Sequence, residues 1–290
     1  MTALQAVKAV KVQRDGACAA GLLADDGRVA IVGPWHAGPA QRTPFELAGV
    51  PAAAWPALAA AAPEQLWLQD IELAAPVDGR SKLICVGANY RDHAAEIGLS
   101  ADTPPQVFLR HADSLVGHDQ PLWRPRVSAQ LDFEGELAVV IGRPARHVAP
   151  AQALARVLGY SCFLDGSVRD YQRQSIGAGK NFWRSGAMGP WIVAAEGLPA
   201  AADLALATHV NGQPVQQGRT GQMVHDVAAL VAYCSQWTAL LPGDVIATGT
   251  PAGIGARRNP PLWLRAGDVV EVTIEGLGTL RNPVLDEADG

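Results

Sequence analysis

The run Leu131-Asp132-Phe133-Glu134-Gly135-Glu136-Leu137-Ala138-Val139-Val140-Ile141-Gly142 limits what this chain can fold into more than any other stretch. Its second half is β-branched and apolar, and Gly142 with Pro144 stops it, so the run reads as a strand. Side chains alternate between the faces of a strand. Phe133, Leu137, Val139 and Ile141 therefore share a face with Gly135. Asp132, Glu134 and Glu136 share the other face, ahead of Ala138 and Val140. Carboxylates this close repel unless a cation or solvent screens them. Spacing alone leaves two readings open: a solvated polar end of an amphipathic strand, or an all-oxygen site of the kind hard divalent cations prefer.

The surroundings of such a strand are bounded by composition. With 290 residues, 49% hydrophobic and 18% charged, the chain has room for one large domain, or a large and a small one, around a sizeable core. Its 30 glycines and 21 prolines separate short Val/Ile runs, which predicts a turn-rich, β-heavy α/β fold. A net charge of −5 gives no basic stripe for nucleic acid. No apolar run reaches the roughly 18 residues of a membrane span, and the N-terminus lacks a secretory apolar core. Cys18, Cys85, Cys162 and Cys234 lie far apart with no Cys-x-x-Cys spacing, so they are expected to be reduced and buried in a cytoplasmic protein.

In chain order, residues 5–33 predict successive hairpins, turned at Arg14-Asp15-Gly16 and Asp25-Asp26-Gly27. The alanine-rich stretch 44–62 predicts a helix limited by Pro51 and Pro56. Residues 1–75 are expected to form a small N-terminal domain, linked through 74–79 to a catalytic domain over 80–285. After the strand Lys82–Val86, His93 and Glu96 stand at i,i+3. On one helix face they are either a surface pair or a base with its orienting carboxylate. The apolar strand 159–165 ends in Asp165, which either caps the next helix or binds a ligand, and residues 166–172 are read as continuing the strand. Residues 177–182 read as a glycine-rich loop whose Lys180 is either an ordinary exposed lysine or a partner for a substrate carboxylate; the spacing is not that of a P-loop. A hairpin comes next at Asn211-Gly212, then the longest helical pattern, 224–241. The loop 249–255 is either a tight turn or, with its amides and the Thr250 hydroxyl, a grip for a carboxylate.

Five segments in this order resemble the fumarylacetoacetate hydrolase family. They are Val86-Gly-Ala-Asn-Tyr-Arg-Asp-His93-Ala-Ala-Glu96, Asp132-Phe-Glu-Gly-Glu136 with its apolar continuation to Gly142, Asp165-Gly-Ser-Val-Arg-Asp-Tyr-Gln172, Gly179-Lys-Asn-Phe182, and Pro242-Gly-Asp-Val-Ile-Ala-Thr-Gly-Thr-Pro-Ala-Gly253. The resemblance covers about residues 80–285. It implies a β-rich mixed α/β roll, usually a homodimer, that binds Mg²⁺ or Mn²⁺, or Ca²⁺, through Glu134, Glu136 and Asp165. It makes His93 and Glu96 the catalytic dyad, Lys180 the site lysine and Thr250 a substrate-binding threonine. Where many members have Phe-x-Lys, this chain has Phe108-Leu109-Arg110, and arginine keeps the charge with a different geometry. Arg110, Arg169 and Tyr171, with Trp183, are candidates for shaping the substrate end.

The activity this resemblance implies is metal-dependent hydrolysis of a C–C bond in an acylpyruvate-type β-diketo acid, fumarylpyruvate- or fumarylacetoacetate-like, in aromatic or small-acid catabolism. The cation supplies a Lewis acid for the 2-oxo acid end. Water deprotonated by His93 attacks the distal carbonyl, and Lys180 stabilises the enolate that leaves. No Gly-x-Ser-x-Gly nucleophile elbow is present. The alternatives are a 2-oxo acid decarboxylase or isomerase of the oxaloacetate or 2-hydroxymuconate type, and a non-catalytic binder of small molecules.

Overall fold

A computed structural model describes residues 8–100, 103–198 and 203–288. The expected start of the first strand at residues 5–7 and most of the N-terminal segment inspected for a leader lie outside the described residues. The fold is mixed α/β and rich in sheet, as the turn density required.

The acidic run sits at the centre. Gly135–Ile141 pairs antiparallel with Val157–Leu164 on one side and with Val245–Ala247 on the other. Val245–Ala247 leads in parallel to Leu83–Gly87, which ends the sheet with Gln106–Arg110. Beyond Val157–Leu164 come Gly186–Ala194, Lys8–Arg14, Ala17–Leu23, Arg28–Ile31 and Glu64–Trp67. The N-terminal hairpins and the catalytic segment therefore contribute strands to one sheet, joined where Lys8 and Ala9 pair with Val193 and Ile192. Both sheet faces are covered. Leu137, Val139 and Ile141 enter one core cluster, and Ala138 and Val140 enter another, as the alternation demands.

A second sheet, ordered Leu122–Arg124, Gly278–Asp286, Val269–Ile274, Ala205–Val210 and Gln213–Arg219, packs on the polar start of the acidic strand. Its hairpin turns at Asn211 and Gly212, both at positive φ (52° and 74°), as an Asn-Gly turn requires. Contact with the acidic strand is so close that a Cβ on Gly135 would lie 2.2 Å from Thr208 Oγ1. The helix Val227–Trp237 is capped by the Asp226 carboxylate, which accepts from Ala229 N, and buries the expected Val227, Leu230, Val231 and Cys234 stripe. No helix among the described residues is long and apolar enough to cross a membrane. All four cysteines are free and buried.

Four local expectations need correction. The acidic run is two strands: Leu131–Asp132 pairs with Ser167–Val168, and the ladder of the large sheet starts only at Gly135. The break arises where the Gly135 N–H turns to the Gln216 side chain. Residues 166–172 do not continue the strand; after Ser167–Val168 they enter the short helix Arg169–Gln172. The glycine-rich stretch at 177–182 is largely the helix Ile176–Lys180, capped by Ser175 Oγ, which accepts from Ala178 N. These two helices pack backbone to backbone, for a Cβ on Gly179 would meet Gln172 Cα at 2.5 Å. The alanine-rich stretch forms 3₁₀ turns at Glu46–Gly49 and Ala52–Ala54 and only then the helix Trp55–Ala61, since proline at 51 and 56 interrupts its hydrogen bonding.

One lysine braces the N-terminal segment. Lys11 is fully buried, and its ammonium donates to the carbonyls of Ala40, Thr43 and Val77 at 2.5, 2.8 and 2.6 Å. Burial pulls its pKa down to about 8. Lys11→Met keeps the volume and leaves three buried carbonyls without a donor. It should lower the unfolding free energy by about 2–4 kcal/mol, read as a fall in the urea midpoint at constant m. A midpoint equal to wild type would show that water replaces the ammonium.

Candidate active site

Glu134 and Glu136 flank Gly135 at the entrance of the central strand. The register sets Gly135 opposite Leu164, so Asp165 arrives beside Glu134, and Asp165 N donates to Glu134 O at 2.8 Å. Carboxylate oxygens of Glu134, Glu136 and Asp165 lie within 4.8 Å of one another, and all three residues are buried. Lys180 Nζ stands 2.5 Å from both Glu134 Oε2 and Asp165 Oδ2. Arg110 donates to the other Asp165 oxygen and, at 2.9 Å, to Gly166 O. Arg169 reaches Glu134 Oε1 at 2.6 Å and Asp132 Oδ2 at 2.8 Å. Asp132 also accepts from Gly255 N and Ala256 N, at 2.8 and 2.9 Å.

Four buried carboxylates thus meet three cations. Glu136 is the one left over: among the described residues its only hydrogen bond comes from Gly249 N, at 2.8 Å. The electrostatics reflect this imbalance. Burial, then Asp165 and Glu134 beside it, push the Glu136 carboxyl well above the usual carboxylate range. For Glu134, burial acts upward, but Arg169, Lys180 and His93 outweigh it and hold the group well below that range. Burial acts to lower Lys180, yet Asp165 and Glu134 together raise it above an ordinary lysine. A cluster one positive charge short, with three hard oxygen donors, fits a divalent cation. Two oxygens on one ion at metal–oxygen distances of about 2.0–2.6 Å can stand as far apart as these do.

Across the cavity, the helix Arg91–Ile97 carries the dyad. His93 Nδ1 is 2.8 Å from Glu96 Oε2, and Glu96 Oε1 accepts from Gly253 N at 3.0 Å. His93 is 5% exposed. Among the described residues its Nε2 has no hydrogen-bond partner, which leaves that nitrogen for a ligand. His93, Glu134, Glu136, Arg169, Lys180 and Thr250 line one cavity of about 550 Å³. Thr250 Oγ1 donates to Gly135 O at 2.9 Å and accepts from Gln216 Nε2 at 2.7 Å, so its hydroxyl is already engaged.

Of the residues expected from sequence, these six come together with Glu96 and Asp165 around that cavity. Arg110 is buried behind Asp165, bonded to Ser114 and Ser185, outside the lining. Tyr171 lies outside it too, edge-on to Phe182 with ring centroids 4.9 Å apart. Trp183 is 54% exposed and meets Trp123 edge-on, with ring centroids 4.9 Å apart. It faces a larger groove of about 1480 Å³ that shares no residue with the acidic trio. Sequence reading missed Asp132 as a brace, Gln216, and the exposed Arg173 and Arg257, which line the same cavity. Asp132 was visible in the acidic face; Gln216 sat unmarked in a hairpin.

A sheet-borne trio of carboxylates that could hold a divalent cation faces a histidine–glutamate pair across one cavity. Residues 82–285 match the family described as fumarylacetoacetate (FAA) hydrolase C-terminal, and the chain belongs to the fumarylacetoacetate hydrolase family. It is 39% identical over 220 residues to the mitochondrial oxaloacetate tautomerase of Xenopus laevis, covering 74% of this chain and 69% of that protein. Its fold is similar to the 5-carboxymethyl-2-hydroxymuconate delta-isomerase of Mycobacterium smegmatis (TM-score 0.76, 33% identity, 97% of this chain and 100% of that one). It is also similar to the fumarylacetoacetate hydrolase of Exiguobacterium antarcticum (TM-score 0.79, 33% identity, 97% and 100%).

Saturating Mg²⁺ or Mn²⁺ should stabilise the chelator-treated chain, by about 2.7 kcal/mol at a concentration one hundred times Kd. Glu136→Gln should abolish the gain. Glu136 must give up its raised proton to bind the ion, so the gain should be larger at pH 8 than at pH 5. Thermal midpoints that rise equally at both values would remove Glu136 from the site.

Proposed function

We propose that this chain is a divalent-cation-dependent enzyme that moves a proton on a 2-oxo acid, as in keto–enol isomerisation. The observation that carries this reading is the His93–Glu96 dyad opening on the same cavity as the acidic trio. Glu134, Glu136 and Asp165 would hold the cation, which would supply Lewis acidity when bound. The chain's own groups do the rest. His93 takes the proton from the carbon next to the carbonyl and returns it. Glu96 holds the ring at Nδ1 and stabilises the imidazolium. Negative charge developing on the substrate oxygen faces the Lys180 ammonium.

Isomerisation is favoured over cleavage because relatives named oxaloacetate tautomerase and hydroxymuconate isomerase match this chain closely. The cavity also supports a second acid group on the substrate. Arg173 and Arg257 line it, are exposed, and have no carboxylate partner among the described residues. Hydrolysis of an acylpyruvate is the second reading, supported by the similarity to a fumarylacetoacetate hydrolase and by the ability of the same dyad to deprotonate water.

Oxaloacetate tautomerisation followed by ultraviolet absorbance, beside product analysis with acetylpyruvate and fumarylpyruvate, separates the readings. Metal-dependent loss of the enol without carbon loss is the expected outcome. Pyruvate plus a second acid would shift the assignment to hydrolase, and CO₂ to decarboxylase. His93→Ala should lower turnover about 10²–10⁴-fold and leave Mg²⁺ affinity within a few-fold. Replacing Arg173 and Arg257 with Ala should lower kcat/KM for the diacid about tenfold or more, in line with the loss of a charge-assisted contact. An equal loss on a 2-oxo monoacid would rule out a role in reading the distal acid.

A further inference from the structure

We infer that Gln216, which touches neither the cavity nor any ionisable group of the site, is a positioning residue that sets the acidic trio and the histidine dyad against each other. The inference rests on the functional reading above.

Gln216 is 2% exposed and lies on the strand Gln213–Arg219 of the second sheet. All of its amide is used. Oε1 accepts from Gly135 N at 3.0 Å, at the residue between the two glutamates. Nε2 donates to Thr250 Oγ1 at 2.7 Å and to Pro251 O at 2.8 Å, in the loop that leaves Val245–Ala247. That loop orients both halves of the site: Gly249 N holds Glu136, and Gly253 N holds Glu96. One side-chain amide therefore ties Gly135, between the cation ligands, to the loop that anchors the base, at the point where the ladder between Gly135–Ile141 and Val245–Ala247 has ended. Thr250 closes the circuit by donating to Gly135 O.

The placement is built in by the fold. Gln216 pairs across the hairpin with Thr208, and Thr208 is the residue whose hydroxyl leaves no space for a side chain at Gly135. The hairpin register that seats Thr208 on Gly135 also brings the Gln216 amide to the Gly135 N–H. Among the described residues no other side chain of the second sheet hydrogen-bonds both Gly135 and the 250–251 segment.

Two variants test this. Gln216→Met keeps the volume and removes all three bonds. Gln216→Glu keeps the acceptor for Gly135 N and turns the donor toward Thr250 and Pro251 into an acceptor, so it is the informative variant if Gln216→Met does not fold. For each variant that gives a native circular dichroism spectrum, Mg²⁺ affinity is measured by calorimetry, and kcat and KM are measured for metal-dependent oxaloacetate tautomerisation. Weaker Mg²⁺ binding by about 10–100-fold, the usual effect of losing a group that orients metal ligands, with a larger fall in kcat than rise in KM, is the expected result. A folded variant with Mg²⁺ Kd and kcat within about threefold of wild type, well short of that usual effect, would overturn the proposal and leave Gln216 a substitute for a strand hydrogen bond. If wild type binds Mg²⁺ but turns over no 2-oxo acid, the functional reading fails, and the Mg²⁺ comparison still decides the role of Gln216. A wild-type chain that takes up no divalent cation overturns the cation site and this proposal together.

Discussion

Four carboxylates buried around one glycine are the constraint on which the rest of the site depends. Removing a charge from water costs several kcal/mol even after relaxation, so each must be matched by cations or hydrogen bonds. Three cations come from three separate places: Arg110 from the edge strand, Arg169 from the first short helix, Lys180 from the second. Local structure serves their convergence. The helix Ile176–Lys180 carries the ammonium inward on its last turn. Asp132, which stands outside the trio of Glu134, Glu136 and Asp165, is held by an arginine and three backbone amides. Among the described residues Glu136 alone of the four lacks a cationic partner, an imbalance that a divalent ion would correct.

The loop after Val245–Ala247 is the second organising element. Its amides at 249, 253, 255 and 256 bind Glu136, Glu96 and Asp132, three acids with three different tasks. Glycine is required at two of these positions. Gly249 and Gly253 have φ of 95° and 105°, and a Cβ on Gly253 would approach Val215 O to 2.4 Å. Amide donors on one continuous backbone cost little entropy to hold in register.

Much of this was legible in the chain. The apolar run through Ile141 is legible as a strand, and the Asp-Gly and Asn-Gly pairs as hairpins, because both signals are local. The acidic triplet was legible as a face but not as a division of labour: spacing cannot say that Asp132 would be claimed by Arg169 and the 255–256 amides while Asp165 arrives from another strand. Arg110, read as a substrate contact, instead backs Asp165, since only the tertiary packing reveals that a buried carboxylate stands between it and the cavity. Lys180 was read in a loop because Gly177 and Gly179 argue against helix; tight packing on Gln172 overrides that propensity. Gln216 carries no sequence signal at all, for a glutamine in a hairpin is ordinarily a solvated residue.

The close packing of the two short helices has a consequence under the function proposed above. Arg169 and Lys180, which pair with the buried carboxylates, lie in the same packed unit as Arg173, just after the first helix, and Ile176, and these two line the outer cavity. With Gly179 pressed on the Gln172 backbone, the pair has little freedom to shift one end without the other. Were the substrate the 2-oxo diacid proposed above, contact with its far end would be felt as alignment at the reacting carbon, and binding energy gathered remotely would be spent on the chemical step rather than on occupancy.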